Sequence, residues 1–178
     1  AEVRSAVSGK SPYNSLIDLY EPEATEEELE DLFGGLKDFL PDFIQQIVEK
    51  QKSEQVHFGE GPFPVESQEK LGRHVMQILG FDFQRGRLDV SHHPFCGGVP
   101  QDTRITTRYS EQNFTESLMG VIHESGHACY EQGLPQDWLH QPVGSARGMG
   151  LHESQSLLFE MQMGRSKEFI GFIQPQIE

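Results

Sequence analysis

Val121–Tyr130 reads VIHESGHACY, and that decapeptide restricts the fold more than any other stretch of the chain. His123 and His127 are four residues apart, a spacing that stacks them one turn apart on the same face of an α-helix. Two imidazoles placed so reach a single Zn²⁺, and the neighbouring carboxylate of Glu124 can take a proton from water on that ion. Asn113 and Glu116 have the spacing of a helix start, Leu118, Val121, Ile122 and Cys129 supply packing, and Gly133 and Pro135 end the segment near Gln132. Catalytic zinc generally takes three protein ligands and leaves one position open, so a second element must return to this helix. His152 and Glu153, in LHESQS, and His140 in the loop between are the candidates; spacing leans to Glu153 and leaves the others open.

The remaining pattern is mostly helical. Thr25 and Glu28 have capping-box spacing, and Leu29, Leu32, Phe33, Leu36, Phe39 and Leu40 then recur on one helical face. Pro41 interrupts this stripe and Phe43, Ile44, Ile47 and Val48 resume it, which predicts two consecutive helices or one kinked helix from Thr25 to Lys52. Pro12 to Tyr20 reads as a lead-in. Another helix is expected near Glu66 to Leu79, with Gly80 as its stop, and a last one from about Leu151 to Phe172. Between them, Arg87–Val90 and Thr103–Tyr109 lean to β structure. The expected fold class is mainly α: a gluzincin-like helical domain, with a small antiparallel β-sheet or hairpin beside the metal site and a third ligand from an antiparallel helix. One domain over 1–178 is expected, with a helical part at 25–80, a small β region at 81–112 and the metal-binding helices at 113–178.

Composition narrows the partners. The net charge is −14, with 28 acidic against 14 basic side chains, a field that disfavours nucleic acid and anionic membrane. Glu21 to Asp31 alone holds seven acids and reads as a solvated helix start. No apolar run approaches the ~20 residues of a membrane span, and the N-terminal residues lack the apolar core of a secretory signal. Two cysteines, Cys96 and Cys129, make no disulfide framework, so a cytoplasmic setting is expected.

Four short motifs stand in one order: His93-Pro94-Phe95, Asp102-Thr103-Arg104-Ile105-Thr106, His123 to His127, and His152-Glu153-Ser154-Gln155. Together with SPYNSLIDLYEPEAT and LGFDFQRGRLDVSHHPF they resemble the thermostable carboxypeptidase, or carboxypeptidase Taq, family of metallocarboxypeptidases over nearly the whole chain. The resemblance implies that His123, His127 and Glu153 hold the metal, usually zinc and exchangeable with cobalt, which selects Glu153 over His152. It implies Glu124 as general base toward zinc-activated water, and removal of single residues from peptides with a free C-terminus. Homodimers are common in such a family. Its members are longer, and its Ile/Val-Arg-x-x-Ala-Asp and Gly-x-x-Gln-Asp-x-His-Trp motifs do not occur here. The expectation is thus a central part of such an enzyme, the alternative being a catalytically incomplete metal-binding module without the substrate clamp.

Asp102, Arg104 and Thr106 alternate and so share one face of a strand, expected to wall the cleft or brace the metal helix. His93 is expected at a turn on the cleft edge, and Arg108 is a candidate second cation. Glu131, one turn beyond His127, is either a support for the metal ligands or a solvated residue. Tyr109 and Tyr130 are read as packing residues, Cys129 as a buried structural thiol, and Gly97 and Gly98 as flexible loop.

Overall fold

The computed structural model describes residues 1–54 and 59–177. The chain divides into two compact units, Ala1–Gly59 and Glu60–Glu178. Among the described residues there are seven α-helices and three strands, and no helix is long and apolar enough to cross a membrane.

The first unit holds α1 (Glu2–Ser8), α2 (Pro12–Ile17) and α3 (Glu26–Gln51). The stretch read as a lead-in is therefore helical from Pro12. Ser11 caps it by accepting from the Asn14 N–H at 3.1 Å, and Pro12 occupies the first turn, where its missing N–H costs nothing. The Asn14 side chain then accepts from the Glu26 N–H at 2.7 Å, tying α2 to the start of α3. The capping box forms: the Glu28 N–H donates to Thr25 Oγ1 at 3.3 Å and the Thr25 N–H to Glu28 Oε2 at 2.9 Å. One helix runs through Pro41, which removes a single bond from the ladder without ending it. Its apolar stripe is exposed, Phe33 at 55% and Phe39 at 57%.

The second unit is built around α5 (Phe114–Gly133). α4 (Val65–Ile78) precedes a three-stranded sheet of β1 (Gly86–Val90), β2 (Phe95–Val99) and β3 (Asp102–Thr107). After α5 come α6 (Met149–Leu157), a π-helical stretch over Leu158–Gly164 and α7 (Lys167–Ile177). The single closing helix expected from Leu151 to Phe172 is thus interrupted; the Arg165 N–H reaches back five residues to the Glu160 carbonyl at 3.1 Å.

The strand order is β1-β3-β2. The two stretches expected to pair antiparallel, now β1 and β3, instead lie parallel, and the antiparallel partner of β3 is β2, which the sequence did not single out as a strand; the sheet is mixed. β2 carries Gly97 and Gly98, which weaken a strand signal, and Gly98 sits at φ 109°, where a Cβ would lie 2.2 Å from the Asp102 carbonyl oxygen. Gly97 and Gly98, read as flexible loop, are therefore strand residues paired with Arg104 and Thr103.

The α5 helix is buried around much of its circumference. Leu118 and Ile122 pack with Leu71 and Val75 of α4 and with Phe169 and Ile173 of α7. Val121 and Ala128 pack with Met76, Phe81, Leu88 of β1 and Ile105 of β3. Each such apolar side chain contributes roughly 1.5–3 kcal/mol on burial. Buried amides fix the two ends. Gln68 accepts from Ser117 Oγ at 2.8 Å and donates to the Phe63 and Ser110 carbonyls; Gln132 donates to the Asp82 and Arg85 carbonyls at 3.0 and 3.1 Å.

Against α6 the approach is backbone to backbone. A Cβ on Gly126 would lie 2.5 Å from Ser156 Cα and 2.7 Å from the Gln155 carbonyl oxygen, neither of which belongs to a flexible side-chain end. Gly126→Ala must therefore push the helices apart, and it is expected to destabilise the chain by about 1–3 kcal/mol in urea unfolding. Unchanged stability would show that the crossing relaxes without cost.

Candidate metal centre

The hydrophobic side of α5 leaves its other side for His123, His127 and Glu131, successive at four-residue intervals. Across the Gly126 crossing, α6 presents His152 and Glu153 and the π-helical stretch presents Glu160. The two segments are antiparallel, so His123 meets Glu160 while His127 meets Glu153 and His152. One ligand atom from each of His123, His127 and Glu153 lies within 4.8 Å of the other two. Glu153 Oε2 is 3.1 Å from His127 Nε2 and 3.8 Å from His123 Nε2. The side chains of His123 and His127 are 22% and 13% exposed and that of Glu153 is 47% exposed, so the cluster is walled by protein on the histidine side and open on the other.

Hydrogen bonding decides what these three atoms are. Glu160 Oε2 lies 2.9 Å from His123 Nδ1, and its Oε1 accepts from Arg165 at 2.5 Å. Burial works against the Glu160 carboxylate, but the bonds from Arg165 and His123 outweigh it and hold its pKa below the usual value. An ionised carboxylate only accepts, so His123 Nδ1 carries the proton and Nε2 keeps its lone pair. On the other histidine, His127 Nδ1 and His152 Nδ1 are 2.6 Å apart and His152 Nε2 is 2.8 Å from Glu131 Oε1. With His152 Nε2–H donating to Glu131, His152 Nδ1 is an acceptor and His127 Nδ1–H donates to it. His127 Nε2 then also faces the cluster bare. Protonating it instead is opposed by burial and by the neighbouring His152 and His123, which pull its pKa below the ordinary value. Three acceptor atoms therefore converge with no hydrogen between them, a donor set that fits a cation such as Zn²⁺.

His152 uses both ring nitrogens on His127 and Glu131 and does not enter the cluster. Ser156, buried beside Gly126, donates to the Glu153 carbonyl at 2.6 Å and lies 3.1 Å from Glu153 Oε2, steadying that carboxylate. Glu160 and Ser156 were not singled out from the sequence; the signal for Glu160 was an acid seven residues after Glu153 in the mostly apolar LFEMQM.

Glu124 is 7% exposed and lines a cavity of about 310 Å³ with Pro94, Arg108, Met119, His123 and Glu160. Burial raises its pKa, with His123 and His93 nearby opposing the rise and Glu153 reinforcing it. His93 is thus within electrostatic reach of Glu124, and its own Nδ1 meets the Pro94 carbonyl at 2.6 Å. Thr106 Oγ1 donates to the His93 carbonyl at 2.9 Å, bracing this loop from β3. Arg108 reaches Glu116 at 3.4 Å on the rim of the same cavity. Asp102 and Arg104 do share a strand face with Thr106, but Thr103, Ile105 and Thr107 are the buried side of β3, the side that meets α5. Arg104 bonds Asp102 at 2.7 Å on the outer side, away from the metal cluster. His140 has φ 68° in the loop and is not among the clustered ligands.

With this geometry in view, comparison with known proteins is specific. A family model described as Carboxypeptidase Taq (M32) metallopeptidase matches residues 1–178. The chain is 40% identical over 159 residues to Carboxypeptidase 1 of Bacillus subtilis (strain 168), covering 89% of this chain and 32% of that protein. It is 41% identical over 158 residues to Thermostable carboxypeptidase 1 of Thermus thermophilus, covering 88% and 31%. Among solved structures it matches Trypanosoma cruzi Metallocarboxypeptidase 1 with a TM-score of 0.90 at 50% identity, over 99% of this chain and 36% of that one. The chain spans about a third of the length of the curated relatives it matches.

The two thiols border this region without joining it. Burial, with the charges of Glu124 and Glu131 nearby, pushes Cys96 up to about 12, and burial pushes Cys129 up to about 11. The thiolate is the reactive form, so at about pH 8 ionisation falls to roughly one in 10³ or fewer. Both cysteines are expected to react with a disulfide reagent at least ~100-fold more slowly in the folded chain than in denaturant. Rapid labelling of the native chain would contradict this placement.

Proposed function

The chain belongs to the carboxypeptidase Taq (M32) metallopeptidase family, and on that footing we propose that it is the metal-binding part of a zinc metallocarboxypeptidase acting on peptides with a free C-terminus. The observation that carries this reading is the convergence of His123 Nε2, His127 Nε2 and a Glu153 oxygen as three bare acceptors at the bottom of an open site. These residues hold the ion, zinc with cobalt as an exchangeable substitute. When bound, the ion supplies Lewis acidity to water and to the scissile carbonyl. Glu124 is the general base: it accepts the proton of the attacking water and returns it to the leaving amine. Its burial supports this role, because a carboxylate with a raised pKa holds a proton more readily than an exposed one. Met119 and Gly120 line the cavity beside Glu124 and accommodate the departing residue, while Arg108 offers a cation for its carboxylate. Thr106 contributes through the loop it braces, and His93 through its field on Glu124. Asp102 and Arg104, paired with each other on the outer face of β3, are assigned no step. Unpaired thiols suit a reducing, cytoplasmic setting.

Zinc titration and peptide cleavage test the assignment together. The chain is expected to bind one zinc, Glu153→Gln to bind it at least ~10-fold more weakly, and Glu124→Gln to retain it. Where the zinc-loaded chain cleaves a free C-terminal peptide, Glu124→Gln is expected to lose about 10²–10⁴-fold in rate, and the amidated peptide is expected to resist. Unchanged zinc affinity in Glu153→Gln removes that ligand. Equal cleavage of free and amidated peptides removes the carboxypeptidase reading, and zinc binding with no cleavage of either describes a metal-binding module.

A further inference from the structure

The two histidines of the cluster are supported differently, and the difference carries a role that the ligand assignment does not use. His123 rests on a carboxylate that Arg165 neutralises. His127 rests on another imidazole, His152, which rests in turn on Glu131. The His152 ring has two ring neighbours: its centroid is 4.8 Å from that of His127 and 4.8 Å from that of Tyr130. Its side chain is 12% exposed and that of Glu131 26%, so water does not easily replace either contact. An imidazole held this way has one nitrogen to give and one to receive. Because Glu131 accepts, His152 Nε2 must donate and His152 Nδ1 must accept. The next ring inherits the choice: His127 donates from Nδ1 and turns Nε2 to the cluster.

We propose that His152 and Glu131 are the positioning pair of the metal centre, setting the tautomer and ring orientation of His127 through two consecutive hydrogen bonds. The inference rests on the ligand reading above and deepens it. His152 is a positioning residue, not a ligand, although it stands next to Glu153 in the chain. Glu131 sets the direction of both bonds from two turns beyond His123. Tyr130 confines the His152 ring so that the direction is kept.

The test is zinc affinity of the 178-residue chain by competition with a chromophoric chelator, read beside the thermal melting of the metal-free chain. His152→Ala is expected to weaken zinc binding by about 10–100-fold, the usual effect of losing a partner of a metal-ligating histidine. His152→Asn places an amide oxygen where Nδ1 stood and still accepts from His127, so it is expected to recover most of that loss. Glu131→Gln is expected to fall between them. In the zinc-loaded wild type, ¹⁵N NMR is expected to find the His127 proton on Nδ1. Affinity of His152→Ala within about threefold of wild type overturns the pair while leaving the ligand reading in place. So does equal weakening in the Ala and Asn variants with unchanged melting, or a His127 proton on Nε2. Absence of zinc binding in the wild type overturns the ligand reading, and the pair with it.

Discussion

At Gly126 the backbones of α5 and α6 come into direct contact, and the cluster of His123, His127 and Glu153 is a consequence of that approach. The residue lies between His123 and His127, and its missing Cβ is what lets Ser156 Cα and the Gln155 carbonyl lie against the helix. Glutamate has a short reach. With α6 further off, Glu153 would not come within 3.1 Å of His127 Nε2, nor Glu160 within 2.9 Å of His123 Nδ1. The opposite side of α5 is anchored independently by Leu118, Ile122, Val121 and Ala128, so the helix has a fixed base from which its histidines project. Packing on one side and contact on the other together turn a helical period into a site.

How much of this could be read in advance follows from which physical rule links chain to space. His123, Glu124 and His127 were legible because a helix converts spacing to a face without any tertiary knowledge. Glu131 is on that same face, and its function was undecided because nothing in the spacing tells whether a helix residue meets solvent or a neighbour. Choosing Glu153 over His152 required the family resemblance; in the structure both nitrogens of His152 meet His127 and Glu131, while a Glu153 oxygen lies 3.1 Å from His127 Nε2. Glu160 follows Glu153 by seven residues, a spacing that shares one helical face, but it was not singled out because spacing does not say whether a helix residue meets solvent or a neighbour.

The sheet illustrates the same limit. Alternation correctly put Asp102, Arg104 and Thr106 on one face of β3, but it does not say which face meets the protein. Ile105, fully buried between two threonines, settles that in favour of the other side. The exposed face is then a row of local ion pairs, Arg104 with Asp102 on β3 and Arg87 with Asp89 on the adjoining β1. Pairs this exposed contribute little to stability. Thr106 alone transmits from that face toward the site, through the His93 carbonyl.

Charge closes the account of why the site has this composition. Glu124, Glu153 and Glu160 lie around two imidazoles whose Nδ1 atoms meet Glu160 and His152 and whose Nε2 atoms face Glu153, with Glu131 behind His152. Arg165 offsets Glu160. The carboxylates of Glu124 and Glu153 are left facing one another's field, which is part of why Glu124 titrates high. A divalent ion held by the histidines and Glu153 would relieve that repulsion and give all three acceptors a partner. It would also bring the Glu124 pKa back down, since a positive ion favours the charged carboxylate. Burial raises the Glu124 pKa and a bound ion would lower it, so the two would oppose each other at this carboxyl.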